Sequence, residues 1–208
     1  QFILRDGQNE MEIGLHGVTW DTSFIPPLCG QRHHATIKDI RESIIKSTNL
    51  EFLLVHGEAG VGKTRIIQQL CMELKKTAIH SQVYSYSRRQ KKVVQAIRDF
   101  CVKKNLLPSG CKSKDLSEIV SQINTYYRKQ VFIIDDIHNA PDEFYDEIKK
   151  LIKQESAQPI IFILIGRDDY TAGSNAYFNF LSFAANHAEQ IRHFPLYPLK
   201  PDESKGLI

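Results

Sequence analysis

Gly57-Glu58-Ala59-Gly60-Val61-Gly62-Lys63-Thr64 is the stretch on which the reading of this chain turns. It matches G-x-x-x-x-G-K-[ST] in full, and the pattern carries weight only with a strand before it and a helix after it. Both are present. Phe52–His56 is a short apolar run, and Lys63–Lys75 follows with Ile66, Ile67 and Leu70 at helical spacing. Without that context the same letters describe a glycine turn that binds nothing. With it, the glycines let the backbone curl so that successive N–H groups face phosphate oxygens. The helix start adds the positive end of its dipole. Lys63 is then the mobile positive charge for the outer phosphates, and the Thr64 hydroxyl a ligand for magnesium.

Working outward, Val131–Ile134 and Ile160–Ile165 repeat the pattern of short, β-branched, wholly apolar runs bounded by polar residues. Such runs are strands covered on both faces, as in a parallel sheet. Ile79–Ser87 and Gln190–Phe194 are weaker candidates. Helical spacing marks Ala35–Lys46, Lys92–Val102 and Asp115–Tyr127, and Pro141 opens Asp142–Lys153, where proline in the first turn costs nothing. Strands alternating with helices predict right-handed crossovers. The expected fold is α/β: a doubly wound, mostly parallel five-stranded sheet with helices on both faces.

Two further strand ends carry charge. Val131-Phe132-Ile133-Ile134-Asp135-Asp136 delivers a pair of carboxylates to a carboxyl end, where open α/β sheets bind ligands. Asp135 is expected to help hold magnesium and Asp136 to orient or deprotonate water. Taken alone, the pair would cap the following turn. Ile161-Phe162-Ile163-Leu164-Ile165-Gly166-Arg167-Asp168 ends in an arginine whose planar guanidinium suits phosphate oxygens. The competing reading is a surface arginine paired with Asp168 or Asp169. The site thus expected comprises Gly57, Glu58, Ala59, Gly60, Val61, Gly62, Lys63, Thr64 and Arg167 around nucleotide, Thr64 and Asp135 around magnesium, and Lys63, Asp136 and Arg167 as catalytic groups.

The 208 residues suffice for one α/β domain, and 42% hydrophobic with 25% charged residues is an ordinary globular balance. A net charge of +3 permits acidic partners without arguing for them. No apolar run approaches the ~20 residues of a transmembrane helix, so no membrane partner is expected. Cys29, Cys71, Cys101 and Cys111 are scattered without a Cys-x-x-Cys pair, against a zinc site or a disulfide framework. An intracellular, cytoplasmic location is the expectation. Residues 1–27, rich in glycine and proline and beginning with Gln1, read as a leader or a remnant of an upstream domain, with 28–208 the nucleotide-binding domain of a longer protein.

Taken together, these motifs resemble those of the STAND class, the AAA+-related signalling ATPases that include the NB-ARC, NACHT and MalT-type switch proteins. Leu28-Cys29-Gly30-Gln31-Arg32 resembles the "hhGRE" string before the first helix, with Gln31 where arginine is usual. Asp135-Asp136-Ile137-His138-Asn139-Ala140 resembles the "DDhHWAD" form of Walker B, with Asn139 in place of tryptophan. Gly166-Arg167-Asp168 resembles the sensor-1 "T-[TS]-R-D", and Phe194–Ser204 the "hxLxxLsxdEs" that leads into a small helical domain. The resemblance implies an ATP- and ADP-binding regulatory switch with slow magnesium-dependent hydrolysis. It also implies downstream helical and winged-helix domains, and self-association on ATP binding. Asp136, one methylene shorter than the glutamate of fast hydrolases, suits a slow switch.

Two other readings stand beside it. A DNA-associated AAA+ ATPase of the origin-recognition type shares the core and the first helix, and would bind DNA in a strongly salt-dependent way. The sensor arginine and the Asp-Asp-Ile-His string weigh against it, so nucleic acid is a less favoured partner. The third reading is a nucleotide-binding scaffold without turnover. No guanine-reading "NKxD" string occurs, which favours adenine. The basic run Arg88-Arg89-Gln90-Lys91-Lys92 reads as a solvated face, His33 and His34 as surface or packing residues, and the aromatic stretch Tyr170–Phe183 as core or domain interface.

Overall fold

The computed structural model describes residues 30–77, 79–86, 92–123, 129–154, 156, 158–169 and 175–199. The residues 1–27 segment, Leu28 and Cys29, Arg88–Lys91, Tyr170 and Pro201–Ser204 lie outside the described residues.

Five strands form one sheet in the order β2-β3-β4-β1-β5. They are β1 (Glu51–Gly57), β2 (His80–Ser85), β3 (Gln130–Asp135), β4 (Ile160–Arg167) and β5 (Ile191–Pro195). Every pairing is parallel, so the sheet is wholly and not mostly parallel. All five expected strands occur, each within two residues of its expected ends.

The helices sort by face. Leu53, Val55, Val131, Ile133, Ile161, Ile163 and Ile165 point to one side, against Ile37, Ile40 and Ile44 of α1 (Gln31–Lys46) and Ile66, Ile67 and Leu70 of α2 (Lys63–Lys75). The alternate residues point the other way, under α3 (Val93–Lys103), α4 (Leu116–Gln122), α5 (Asp142–Ile152) and α6 (Asn175–Asn186). Continuous apolar runs were needed because both faces of each strand are buried. On the second face Phe52, Phe162 and Phe132 sit in register across β1, β4 and β3, with ring centroids 5.5 and 5.4 Å apart. Burial of each such ring stabilises by roughly 1.5–3 kcal/mol.

Three helices differ from expectation, the first being α1, which starts at Gln31 and not at the expected Ala35. The spacing predicted a helix over Asp115–Tyr127, but α4 ends at Gln122, where Ile123 turns to an extended conformation. Its start is fixed by Asp115, whose carboxylate accepts from the Ser117 and Glu118 amides. The aromatic stretch after β4 contains the helix α6, whose Tyr177 and Phe180 are fully buried while Phe178 is exposed. Cys71 and Cys101 are buried free thiols, each raised to about 12 by burial.

Candidate functional site

Parallel pairing brings three strand ends side by side. Gly57 at the end of β1 is in register with Arg167 at the end of β4, and β4 lies directly between β1 and β3, which ends at Asp135. The loop 58–62 rises from β1 and runs into α2. Gly62, immediately before that helix, takes a left-handed backbone (φ 93°) that residues with side chains rarely adopt. The first amides of a helix have no intrahelical acceptor, and no side chain caps this one.

Gly57 is required by close approach. A Cβ there would lie 2.4 Å from the Leu196 carbonyl oxygen, because Leu196 N–H donates to His56 O at 2.7 Å just past β5. On the other side of the loop, His33 in the first turn of α1 is buried with its ring against Gly62. His34 is exposed.

Lys63 folds over the loop and donates to the Gly57 and Glu58 carbonyls at 2.8 and 2.5 Å. Burial lowers its pKa, and the Arg167 charge lowers it further, while Asp169, Asp135 and Asp168 pull it back up. Thr64 is exposed. The lysine thus stands among charges of both signs contributed by the ends of β3 and β4.

Asp135 is raised to about 6, first by burial and then by the charge of Asp136, although the Asp136 amide donates to its Oδ1 at 2.8 Å. Asp136 has a left-handed backbone (φ 56°), a conformation that costs free energy in any residue with a side chain and is best tolerated by Asp and Asn. Its carboxylate accepts from Ser85 Oγ at 3.0 Å and lies 4.0 Å from His138 Nε2. Burial lowers the His138 pKa against the pull of Asp136. Ser85 at the end of β2 was not singled out from sequence, since a lone serine after a weak strand carries no pattern.

Arg167 is where the second sequence reading applies. Its Nε and Nη2 donate to the two oxygens of Asp169, both at 3.1 Å, and the Tyr177 hydroxyl donates to its carbonyl at 3.0 Å. Asp169 is held at about 2, chiefly by Arg167, with the nearby Ala59 amide of the loop lowering it further. Asp168 faces His56 instead, with Nδ1 2.9 and 3.1 Å from its oxygens. The residues expected from sequence therefore converge, but Arg167 engages the Asp169 carboxylate two positions on, the pairing that the competing reading named.

For magnesium the donor set is one half-buried carboxylate, Asp135, and one hydroxyl, Thr64. Among the described residues no cluster of three or more His, Cys, Asp or Glu could hold a metal. Sparse oxygen donors suit magnesium, which keeps waters and takes phosphate oxygens. The half-buried, charge-crowded Asp135 is a carboxylate that a cation would relieve. The residues fit the ion.

The fold and its loop define a P-loop nucleoside-triphosphatase architecture. Residues 46–171, more than half of the 208, match the family described as AAA domain. The chain belongs to that family. No curated protein matches it. Among solved structures it is similar to Cdc6p from Pyrobaculum aerophilum, with TM-score 0.61, 16% identity and coverage of 89% of this chain and 50% of that one. It is likewise similar to the Aeropyrum pernix Orc1 protein in complex with DNA (0.56, 13%, 89% and 50%). The third is Drosophila ORC bound to poly(dA/dT) DNA and Cdc6 (0.53, 16%, 85% and 30%). The chain spans half the length of the first two chains and less of the third. At these identities the likeness is one of fold. Among the described residues no helix is long and apolar enough to cross a membrane.

Proposed function

We propose that this chain is the nucleotide-binding module of an AAA+ ATPase of the origin-recognition type, which binds ATP with magnesium and couples that binding to DNA. The observation that carries the nucleotide part is the convergence of Gly57–Thr64, Asp135 and Arg167 on Lys63 at the carboxyl edge of the sheet. The DNA part rests on the solved structures of like fold, two of which contain DNA. In this reading the loop amides, Lys63 and Arg167 bind the phosphates, Thr64 and Asp135 hold magnesium, and Asp136 places the attacking water. Magnesium, when bound, neutralises charge developing on the phosphates. Hydrolysis is slow because the Asp136 carboxylate is already engaged by Ser85 and close to His138, and its short side chain has little reach.

A STAND-type signalling switch is the second reading, favoured by one observation: an arginine at the end of β4, where that class carries its sensor arginine. The test is a pair of titrations on the purified protein. One follows ATP binding in wild type and Lys63→Ala; the other follows duplex DNA binding against salt, with and without ATP. ATP binding lost in the variant, with ATP-dependent DNA affinity falling steeply as salt rises, supports the proposal. ATP binding with no DNA affinity leaves the switch reading. Nucleotide binding with no phosphate released on prolonged incubation of the same samples with ATP identifies a scaffold. Absence of nucleotide binding overturns all three.

A further inference from the structure

The β4 end delivers more than an arginine. Gly57 and Arg167 are register partners, and the Asp168 amide donates to the Gly57 carbonyl at 3.3 Å, so the next residue is set against the phosphate loop. That residue is Asp169. One of its carboxylate oxygens accepts from Arg167 Nε and the other from Arg167 Nη2, each at 3.1 Å. The Ala59 amide, within the glycine loop, also favours the ionised form of this carboxylate, and Lys63 lies within its electrostatic reach. A guanidinium, a loop amide and the loop lysine are the kinds of donor that this motif offers to phosphate oxygens.

We propose that Asp169 is a built-in anion that occupies phosphate-binding donors of the loop, so that a nucleotide must displace it and its charge sets nucleotide affinity. This rests on the reading of Gly57–Thr64 as a nucleotide site. A carboxylate presents two oxygens and one charge, whereas a triphosphate presents more of both, so the nucleotide wins at a cost. The cost is graded by phosphate number. A diphosphate competes with Asp169 only for the field of the loop donors and has no outer phosphate to reach Arg167; a triphosphate must break the Arg167 pair as well. Asp169 therefore penalises ATP more than ADP. Because the Asp169 side chain is 38% exposed, water screens the contact and the penalty is modest. The adjacent Asp168 carries the same charge but is committed to His56, which makes it the natural comparison.

The test is titration of fluorescent ATP and ADP analogues into wild type, Asp169→Asn, Asp169→Ser, Asp168→Asn and Lys63→Ala, with melting temperatures recorded in parallel. Asp169→Asn and Asp169→Ser are expected to tighten ATP by roughly threefold to fivefold and ADP by less. Asp168→Asn is expected to move both less than either. If Lys63→Ala loses binding while both Asp169 variants leave ATP affinity unchanged or weaker, the nucleotide site stands and the proposal falls. Equal tightening by Asp168→Asn also overturns it, since only net charge would matter. If wild type fails to bind and Asp169→Asn binds, the proposal holds in its strongest form. If nothing binds, it falls together with the reading beneath it.

Discussion

Lys63 and Lys129 make nearly the same contacts at opposite edges of one sheet. Lys63 donates to the Gly57 and Glu58 carbonyls at 2.8 and 2.5 Å; Lys129, just before β3, donates to the Ile44 and Ile45 carbonyls at 2.5 and 2.8 Å. Burial lowers the pKa of both. Their surroundings differ. Lys129 answers the last carbonyls of α1 and feels one carboxylate, Glu51, which is itself near Arg192 at 3.7 Å. That is a helix C-cap, and its charges have one arrangement. Lys63 feels Arg167, Asp169, Asp135 and Asp168 at once, beside a left-handed Asp136. A lysine on two carbonyls is not in itself a signature. What separates the two edges is whether the nearby charges are consumed by structure or held ready to exchange partners.

The comparison breaks most sharply under mutation of the lysines themselves. Lys63→Ala should cut ATP affinity by roughly 10- to 100-fold, the scale of lost charge-assisted hydrogen bonds, while its melting temperature stays close to wild type. Fluorescent nucleotide titration beside calorimetric melting checks both halves. Gly57→Ala should come next: its Cβ meets the Leu196 carbonyl at 2.4 Å, for about 2–3 kcal/mol of lost stability by urea unfolding.

Asp135→Asn sharpens the carboxyl edge by pH. The fold favours protonated Asp135, because its pKa is raised from 3.8 to about 6. That stabilising preference is whole below pH 3.8 and lost as pH rises through about 6. The variant, neutral throughout, should therefore be more stable than wild type by up to ~3 kcal/mol at pH 7, with the gain gone in acid. It should also lose the magnesium-dependent part of ATP affinity. In wild type that part should fade as pH drops below about 6, since magnesium needs the ionised carboxylate. Chemical unfolding across pH and magnesium titrations test the two claims. Lys129→Ala is the smallest effect: about 1 kcal/mol of stability, with nucleotide affinity unchanged, because it touches only helix carbonyls. A loss of nucleotide binding there would erase the distinction between the edges.

What was legible in sequence follows the same division. Strands buried on both faces announce themselves as apolar runs, and Gly57–Thr64 is read from its letters because sterics dictate its glycines. The pairing order was not legible, since it depends on which strands the crossovers bring together. Nor was α6 foreseen: its apolar residues Tyr177 and Phe180 are interleaved with exposed Phe178, which blurs a helical period. At the site, Asp135, Asp136 and Arg167 were reached through strands ending in charge. Asp169 was named only as a surface partner for Arg167, and Ser85 and His33 were missed for their roles beside the loop, because each is brought there by tertiary placement and not by a local pattern.

The contact between Gly57 and Leu196 has a mechanical meaning. The Leu196 amide is tied to His56 and its carbonyl rests on the α-carbon of Gly57, so the chain leaving β5 bears directly on the hinge of the phosphate loop. If the proposed nucleotide flexes the loop on entry, this contact is where the movement would reach Tyr197 and Pro198, making the exit from the sheet a lever whose fulcrum is a missing side chain.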